Sequence, residues 1–311
     1  MSRSYSSSRY PELDFPATVQ STSPAISSID PIREMVAHEV LWLGRSMTAE
    51  RMAKLFSPYP NLLPSELVPA ATIGQYQDAV LTAACPIKSA WPTKVLVQGT
   101  VEYPPQLRPA GCILPVLYYA ANPELLDKPA VSIVGTREVS GEGLDRTIEL
   151  TSILVRHGYT IISGLAAGID QQAHTTAIAA GGSTIAVIGT PLVETYPPTH
   201  GRLQERIARE HLLISQVPFL RHQKNTLKEN TQFFRDRDLT ISALSLATII
   251  TEAGDRSGSL ITARAALRQG RKLFIPEACF HDTSLSWPRQ FGDLGAIPFT
   301  SPEDILASLA G

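Results

Sequence analysis

Two glycine-terminated apolar runs restrict most strongly what this chain can fold into. VSIVGTREVSGEG (residues 131–143) and IISGLAAGID (residues 161–170) each begin with β-branched residues, reach a glycine and continue into a helical pattern. Buried parallel strands that pass into helices through tight turns have this appearance. Two such units in succession place both turns at the carboxyl edge of one sheet, where α/β folds bind phosphate-bearing ligands. We therefore expect a nucleotide or nucleic-acid phosphate site at this edge.

The same alternation of strand and helix patterns continues through the rest of the chain. After short extended pieces at residues 95–97 and 116–119, apolar runs predict strands at residues 131–134, 159–163, 184–188, 212–215, 247–251 and 272–276. Helical periodicity predicts helices at residues 141–157, 170–180, 201–210, 237–246, 259–269 and 304–309. Residues 217–232 are predicted to form a long polar segment between the strand at residues 212–215 and the helix at residues 237–246. Strands that alternate with helices indicate an α/β fold with a doubly wound, mostly parallel Rossmann-like sheet.

The beginning of the chain has a different character. Residues 1–29 are rich in Ser, Pro and Thr without periodicity, which is typical of a disordered tail. Residues 30–84 have a helical pattern that starts where Asp30 precedes Pro31, with helices predicted at residues 30–44, 47–56 and 65–81. We expect three parts: a tail at residues 1–29, a small N-terminal helical module at residues 30–90, and an extended Rossmann-like domain at residues 91–311.

The composition argues against several classes of protein. An apolar fraction of 43% suits a globular protein with a sizeable core, and a net charge of −2 gives no overall basic field. A site for a polyanion must then be a local patch. Cys85, Cys112 and Cys279 are far apart, so neither a zinc site nor a disulfide framework is expected, and a reducing cytoplasmic setting fits best. No apolar run has the length of a membrane helix.

Four predicted turns, which begin at Gly135, Ser163, Gly189 and Glu252, bring glycines, hydroxyls and arginines to one edge of the sheet. Glycines let a backbone close on a phosphate, helix-start N–H groups favour anions, and arginines add forked hydrogen bonds. The candidate phosphate-binding residues in these turns are Gly135, Thr136, Arg137, Ser163, Gly164, Gly168, Arg256, Ser257, Gly258 and Ser259. One turn alone would indicate only a tight connection, whereas four favour a site. Both G-x-G-x-x-G and G-x-x-x-x-G-K-[ST] are absent, which argues against a standard NAD site or an ATPase.

Three titratable residues near these turns have two interpretations. Asp170 and His174 are four residues apart on one predicted helix face, so they could form an acid–base pair or bind a metal. A capping aspartate beside a hydrogen-bonded histidine is the more common arrangement, and we favour it. Glu252 could act as a general base, or it could anchor a glycine loop by accepting N–H bonds; we favour the structural role.

The segment at residues 219–238 mixes basic and aromatic side chains. Its cations include Arg235 and Arg237, and its rings are Phe219, Phe233 and Phe234. Cations interleaved with aromatic rings suit a single nucleic-acid strand, whose phosphates meet the cations while its bases stack. A solvated loop that leads into a helix with its phenylalanines packed inward would have the same pattern, and this segment alone does not decide between the two.

Several motifs together resemble one known family. LPVLYYAANPELLDKPAVSIVGTRE, SGLAAGIDQQAH, ETYPP and, above all, EAGDRSGSLITARAALRQGRKLF are similar to the DprA/Smf family of DNA-processing proteins, in the expected order, from about residue 102 to residue 306. The resemblance implies an extended Rossmann-like fold that binds single-stranded DNA in a positively charged pocket, forms a homodimer and helps to load the RecA recombinase during natural transformation. It implies no catalytic activity, no cofactor and no membrane partner.

The resemblance also assigns residues to the expected DNA site. Residues 135–137 match the turn whose arginine contacts a phosphate, residues 163–170 and 256–259 match two further turns, and Phe234, Arg237 and Asp238 match a fourth stretch. The sequence departs from the family pattern at Ala167, where arginine is usual, at Asp238 and Leu239, where Asn-Arg is usual, and at residues 275–277. Two cations are thus expected to be missing from the pocket.

Three functions remain open on the sequence alone. The first is a binding protein for single-stranded DNA. The second is a nucleotide sensor or a phosphoribohydrolase-like enzyme of the wider Rossmann-like superfamily, although residues 258–262 hold no glutamate at the spacing that such hydrolases use. The third is a structural dimer whose ancestral pocket has decayed.

Overall fold

A computed structural model describes residues 29–85 and 91–310 of the chain. These residues contain nine strands and thirteen α-helices. The strands are β1 (Lys94–Val97), β2 (Val116–Ala121), β3 (Ala130–Val134), β4 (Thr160–Ser163), β5 (Thr184–Ile188), β6 (Leu212–Ser215), β7 (Ala247–Ile250), β8 (Lys272–Pro276) and β9 (Ile297–Phe299). The helices are α1 (Pro31–Trp42), α2 (Ala49–Phe56), α3 (Pro64–Leu67), α4 (Ala70–Ala84), α5 (Gly141–Arg156), α6 (Ile169–Ala179), α7 (Gly201–Glu210), α8 (Phe219–Lys224), α9 (Leu227–Ala243), α10 (Ser259–Arg268), α11 (Glu277–His281), α12 (Trp287–Asp293) and α13 (Pro302–Ala310).

The strands form one sheet in the order β1-β2-β6-β5-β4-β3-β7-β8-β9. Strands β3 to β9 run parallel to one another, while β2 pairs with β6 antiparallel and β1 pairs with β2 antiparallel at that edge. The chain moves outward from β3 to β6 and then crosses to β7, on the other side of β3. The strand order therefore reverses between β3 and β7, and open α/β sheets bind their ligands at such a point.

The central strands are buried on both faces. Every residue of β3, β4, β5 and β7 is buried, because helices cover the sheet on both sides. Each fully buried isoleucine or valine side chain stabilises the folded state by roughly 1.5–3 kcal/mol relative to an exposed one. The hydroxyl groups inside the sheet have partners: Ser132 donates to Thr248 at 2.8 Å. These strands form a packed base from which the turns at the carboxyl edge project.

The predicted fold class and the six predicted strands of the parallel sheet are confirmed, with bounds that differ by at most one residue. Strand β9 and helices α11 and α12 were not predicted; β9 is short and contains Pro298, so its pattern is weak. The predicted helix at residues 65–81 is two helices, α3 and α4, separated at Pro69.

The polar segment at residues 217–232 was predicted wrongly, because it contains α8 and the first turns of α9. Helix α9 begins at Leu227 instead of residue 237. The N–H of Glu229 donates to the Thr226 hydroxyl at 3.3 Å, and the Thr226 N–H donates to the Glu229 carboxylate at 2.7 Å. This capping box is visible in the sequence as T-x-x-E and would have located the helix start.

Helix α1 packs directly on the sheet. Its apolar side shares one core with Tyr118 of β2, Phe219 of α8 and Phe233 of α9. Within this core the buried Glu39 carboxylate accepts hydrogen bonds from the Tyr118 hydroxyl at 2.5 Å and from the N–H groups of Phe219 and Leu220 at 2.9 and 3.0 Å. Burial raises the pKa of Glu39 to about 7 against these donors. The predicted boundary between the helical module and the Rossmann-like domain at residue 90 stays a prediction. Helix α1 of the module and the sheet nevertheless share this core.

The remaining expectations concern the N-terminal tail, membrane-spanning helices and metal sites. All of the predicted tail except residue 29 lies outside the described residues. Within residues 29–85 and 91–310, no helix combines the length and apolarity needed to cross a bilayer, and no three metal-ligating side chains form a cluster.

Candidate nucleic-acid interface

A cleft of about 650 Å³ opens where the strand order reverses, at the carboxyl ends of β3 and β7. The candidate residues that line it are Gly135, Thr136, Arg137, Arg235, Arg237, Arg256, Ser257, Gly258 and Ser259. Gly164 instead lines a smaller recess of about 70 Å³, which also borders Arg137 and Phe234. Ser163 and Gly168 line neither space. The predicted turns therefore converge, and the part that each residue plays depends on its local contacts.

The first turn, after β3, is locked to its two neighbours by backbone hydrogen bonds. The Thr136 N–H donates to the Glu252 carbonyl at 2.8 Å, and the Thr136 carbonyl accepts from the Ile169 N–H at 3.2 Å. A Cβ on Gly135 would lie 2.5 Å from Ile169 Cγ1 and 2.7 Å from the Glu252 carbonyl oxygen, so only glycine fits here. The turn is thus held rigidly, while the side chain of Arg137 remains exposed.

Ser163 and Gly168 build the second turn and do not face the cleft. Ser163 is fully buried, and its hydroxyl donates to the Ile133 carbonyl at 2.6 Å. Gly168 has φ +79°, and a Cβ on it would collide with the backbone carbonyls of Thr136 and Arg137. The sequence suggested phosphate contacts for both residues, but their contacts are with neighbouring backbone.

Arg237, a candidate phosphate-binding residue from the sequence, is buried and lies beside two carboxylates. Its Nε lies 3.1 Å from the Asp238 carboxylate, and its Nη1 lies 3.9 Å from the Asp170 carboxylate and donates to the Val187 carbonyl at 3.3 Å. A Cβ on Gly164 would overlap this guanidinium, so glycine leaves the space that Arg237 fills. Because a buried charge is stable only when paired, Arg237 is better suited to hold the cleft wall than to neutralise a ligand.

The geometry of Asp170 and His174 supports a structural role, but Asp170 is not the cap: Gly168 is the N-cap residue of α6, and Asp170 lies in its first turn. The Asp170 carboxylate accepts from the N–H groups of Gly164 and Ala166 at 3.2 and 3.4 Å; burial raises its pKa, against the opposing effect of Arg237. His174 is fully buried, with Nδ1 2.7 Å from the Thr184 hydroxyl, and burial lowers its pKa to about 3. A histidine held neutral inside the fold is a poor acid–base catalyst at neutral pH.

Glu252 anchors the first turn, as the favoured interpretation expects. Its carboxylate accepts from the Ser140 hydroxyl at 2.7 Å and from the Ser140 N–H at 3.2 Å. The bond joins the connection between β3 and α5 to the end of β7. A Cβ on Gly143 would overlap this carboxylate, which accounts for a small residue in the first turn of α5.

Three arginines provide the free positive charge of the cleft. Arg137, Arg235 and Arg256 are exposed, and none of them forms an ion pair within the part of the chain that the structure describes. They come from three different elements: the turn after β3, helix α9 and the turn after β7. Helix α10 starts at Ser259 beside them, so its first N–H groups add partial positive charge at the same edge. The arrangement suits an anion with more than one phosphate.

Asp238 places one negative charge in the same cleft. Burial raises the pKa of this carboxyl to about 6, while Arg237 and Arg137 act in the opposite direction. Leu239, the adjacent departure from the family pattern, is 41% exposed but lies in a neighbouring groove and not in the cleft. Ala167 lies in the small recess beside Arg137. The two positions expected to lack a cation therefore border different depressions and not one pocket: Ala167 borders the small recess, and Leu239 borders the neighbouring groove.

An aromatic pair forms one rim of the cleft. Tyr196 and Phe234 meet edge to face, with ring centroids 5.2 Å apart, and Tyr196 is 46% exposed. The Phe234 ring packs on Gly189, where a Cβ would lie 2.6 Å from it. Phe219 and Phe233 are buried in the core instead. The sequence did not identify Tyr196 as a site residue, although it lies in the ETYPP motif; its distance from α9 in sequence concealed the pairing.

Comparisons with known proteins agree with the fold and with the motifs. The family model described as DNA recombination-mediator protein A matches residues 94–310. The protein Smf of Synechocystis is 39% identical over 216 residues, which is 63% of this chain and 53% of that protein. This chain thus spans about half the length of that curated relative.

Two solved structures are similar over most of the chain. The X-ray structure of DNA processing protein A from Streptococcus pneumoniae has a TM-score of 0.63 at 28% identity, covering 88% of this chain and 92% of that one. DNA processing protein A from Helicobacter pylori, described for its unique single-stranded DNA binding mode, has a TM-score of 0.60 at 25% identity, covering 71% of this chain and 98% of that one. The resemblance to the DprA/Smf family is confirmed.

Proposed function

Because this chain belongs to the DNA recombination-mediator protein A family, we propose that its cleft binds single-stranded DNA. The observation that carries the proposal is a single cleft lined by three exposed arginines without ion pairs among the described residues, by the start of α10 and by the aromatic pair Tyr196 and Phe234. The Helicobacter pylori relative, described for its single-stranded DNA binding mode, supports the same ligand.

The groups that line the cleft suit the two parts of a nucleotide. Phosphates bind Arg137 and Arg256 and approach the first N–H groups of α10, since forked guanidinium groups and helix starts both favour phosphate oxygens. A base stacks on the rim formed by Tyr196 and Phe234, at roughly 1–3 kcal/mol for each stacked base. A duplex keeps its bases stacked on each other, so it cannot use the aromatic rim. The cleft is therefore selective for a single strand.

We propose a binding role and not a catalytic one. The two carboxylates that the sequence suggested as acid–base groups, Asp170 and Glu252, are both occupied by hydrogen bonds that hold the turns together. His174 is buried and neutral. These groups have structural partners, which supports binding over hydrolysis.

The further steps of the proposed function rest on the family. A protein of this type protects exposed or incoming single strands and hands them to the RecA recombinase as a homodimer, in transformation or recombination. Such a task places it in the cytoplasm with the DNA. The description of the family as recombination mediators supports this assignment.

Fluorescence anisotropy with labelled oligo-dT across a salt series tests the proposal. Wild-type protein binds the single strand in preference to duplex DNA and free nucleotides, and its affinity falls as salt rises. Arg137→Glu weakens binding by about tenfold or more, because a phosphate contact becomes a repulsion. Arg156→Glu makes the same charge change at the end of α5, at the opposite edge of the sheet, and leaves binding nearly unchanged. Absence of binding at low salt, or equal binding by Arg137→Glu, would contradict the proposal.

A further inference from the structure

A second groove of about 460 Å³ lies along α10 and adjoins the cleft. Arg256, Ser257 and Ile261 line both depressions, so the two are continuous across the start of α10. The walls of the second groove come from one face of α10, from Leu239 on α9 and from the loop before β2. A chain-like ligand that leaves the cleft on this side therefore enters the groove.

Two cations that the fold itself does not use face this groove. Arg264 and Arg268 line it, are exposed, and make no ion pair or hydrogen bond within the described residues. Two arginines of α7, by contrast, are paired: Arg206 pairs with Glu210 at 2.9 Å, and Arg209 pairs with Glu205 at 2.9 Å. The charges of Arg264 and Arg268 are thus available to a ligand.

The local contacts favour an anion in the groove. The Arg264 guanidinium lies over Phe291, 5.3 Å from the ring centroid, which holds it at the wall. Asp255 is the acidic residue that lines the groove, and its carboxylate accepts hydrogen bonds from the N–H groups of Ser286 and Trp287 at 2.9 and 3.1 Å. These bonds stabilise the ionised carboxylate, but Arg256, Arg264 and Arg268 outnumber it, so positive charge dominates the groove.

The spacing of the two arginines fits a polymer with repeating charge. Residues four apart on a helix lie on one face about 6 Å apart, a separation similar to that of successive phosphates in an extended strand. Leu239, Leu260 and Ile261 give the same groove an apolar wall, against which base faces can lie. A nucleic-acid strand offers both the repeating charge and the apolar faces.

We propose that a single DNA strand held in the cleft continues across the start of α10 into this second groove, with its backbone phosphates on Arg264 and Arg268. This inference rests on the proposed function and extends it. The groove then determines how the affinity depends on strand length, while the cleft by itself holds the shortest strands.

The test compares binding of short and long oligo-dT to the full chain. Oligomers of about 5 and about 15 nucleotides are used, because single-strand sites span about 4–16 nucleotides. Arg264→Ala/Arg268→Ala removes both groove cations. Lys128→Ala/Arg156→Ala removes the same charge from exposed positions at the amino edge of the sheet and is the matched control. Arg264→Lys/Arg268→Lys keeps the charge, and thermal melting checks the fold of each variant.

The groove variant should bind the short oligomer within about twofold of wild type and the long one roughly tenfold more weakly, with a salt slope lower by about 0.7 for each lost contact. The lysine variant should recover most of the long-strand affinity. An equal loss at both lengths, or no loss beyond that of the control, overturns the inference. If Arg137→Glu weakens both lengths while the groove variant weakens neither, the proposed function stands and this extension fails. Absence of any wild-type binding at low salt overturns both.

Discussion

At the scale of single residues, Arg237 and Asp238 show how burial changes the meaning of a charge. Arg237 is 5% exposed and lies between two carboxylates, so its charge is used inside the protein. Asp238 lies in the cleft, where burial raises its pKa to about 6. Its ionised form opposes phosphate binding, whereas its protonated form does not. The cleft therefore carries a charge that changes close to physiological pH.

DNA binding should strengthen as the pH falls through about 6. The pKa of Asp238 is raised above its ordinary value of 3.8, so protons bind it as the pH falls through about 6 and the cleft loses one negative charge. Anisotropy titrations from about pH 8 to about pH 5 should show tighter binding at the acid end. Asp238→Asn should bind more tightly than wild type at neutral pH and show a smaller dependence across that window. The same dependence in both proteins would assign the effect to other titrating groups.

At the scale of elements, the turns after β3 and β4 support each other. The Thr136 carbonyl accepts from the first residue of α6, and Gly168 passes close to the carbonyls of Thr136 and Arg137. The position of Arg137 therefore depends on the element that follows β4. A strained substitution at the second turn should disturb the first.

Gly168→Ala should lower the free energy of unfolding by about 1–3 kcal/mol or more, because its φ of +79° and the nearby carbonyls both exclude a Cβ. It should also weaken DNA binding by displacing Arg137. Gly254→Ala is the matched control: nothing lies within 4 Å of the added Cβ, and the residue has no positive φ. Urea denaturation measures the free energy of unfolding of the two variants, and fluorescence anisotropy measures their DNA binding. Equal stability of the two variants would show that the contact between the turns is unimportant.

At the scale of the whole molecule, α1 is attached to the sheet through one buried carboxylate. Glu39 is fully buried and accepts bonds from β2 and from the start of α8. Three elements distant in sequence thus meet at one side chain. Loss of this carboxylate should affect the protein as a unit.

Glu39→Ala should lower the free energy of unfolding by about 3 kcal/mol or more, since it leaves the Tyr118 hydroxyl and two N–H groups buried without an acceptor, at roughly 1–3 kcal/mol each. Glu50→Ala, which breaks an exposed pair with Lys54, should change the free energy of unfolding far less, because solvent screens exposed pairs. Chemical denaturation monitored by circular dichroism measures the free energy of unfolding of both variants. A loss at Glu39 no larger than at Glu50 would mean that α1 is held by its apolar contacts alone.

Local patterns in the sequence determined the fold class, the six parallel strands and the edge of the sheet at which the candidate site lies. A strand buried on both faces must be a continuous apolar run, and a tight turn beneath a ligand needs glycine, so both features are written in adjacent residues. The start of α9 was equally visible in its T-x-x-E motif, although a polar segment was predicted there.

Only the tertiary structure determined whether each charged residue is buried and paired or exposed and free to bind a ligand. Arg137 and Arg237 look alike in the sequence, yet one is exposed at the cleft and the other is enclosed by Asp170, Val187 and Asp238. The partners that bury a charge or leave it free come from other strands and helices, through contacts that no local pattern records. For that reason the two glycine-terminated runs predicted where a phosphate would bind, and only the packing of β3, β7, α9 and α10 determined which arginines are free to bind it.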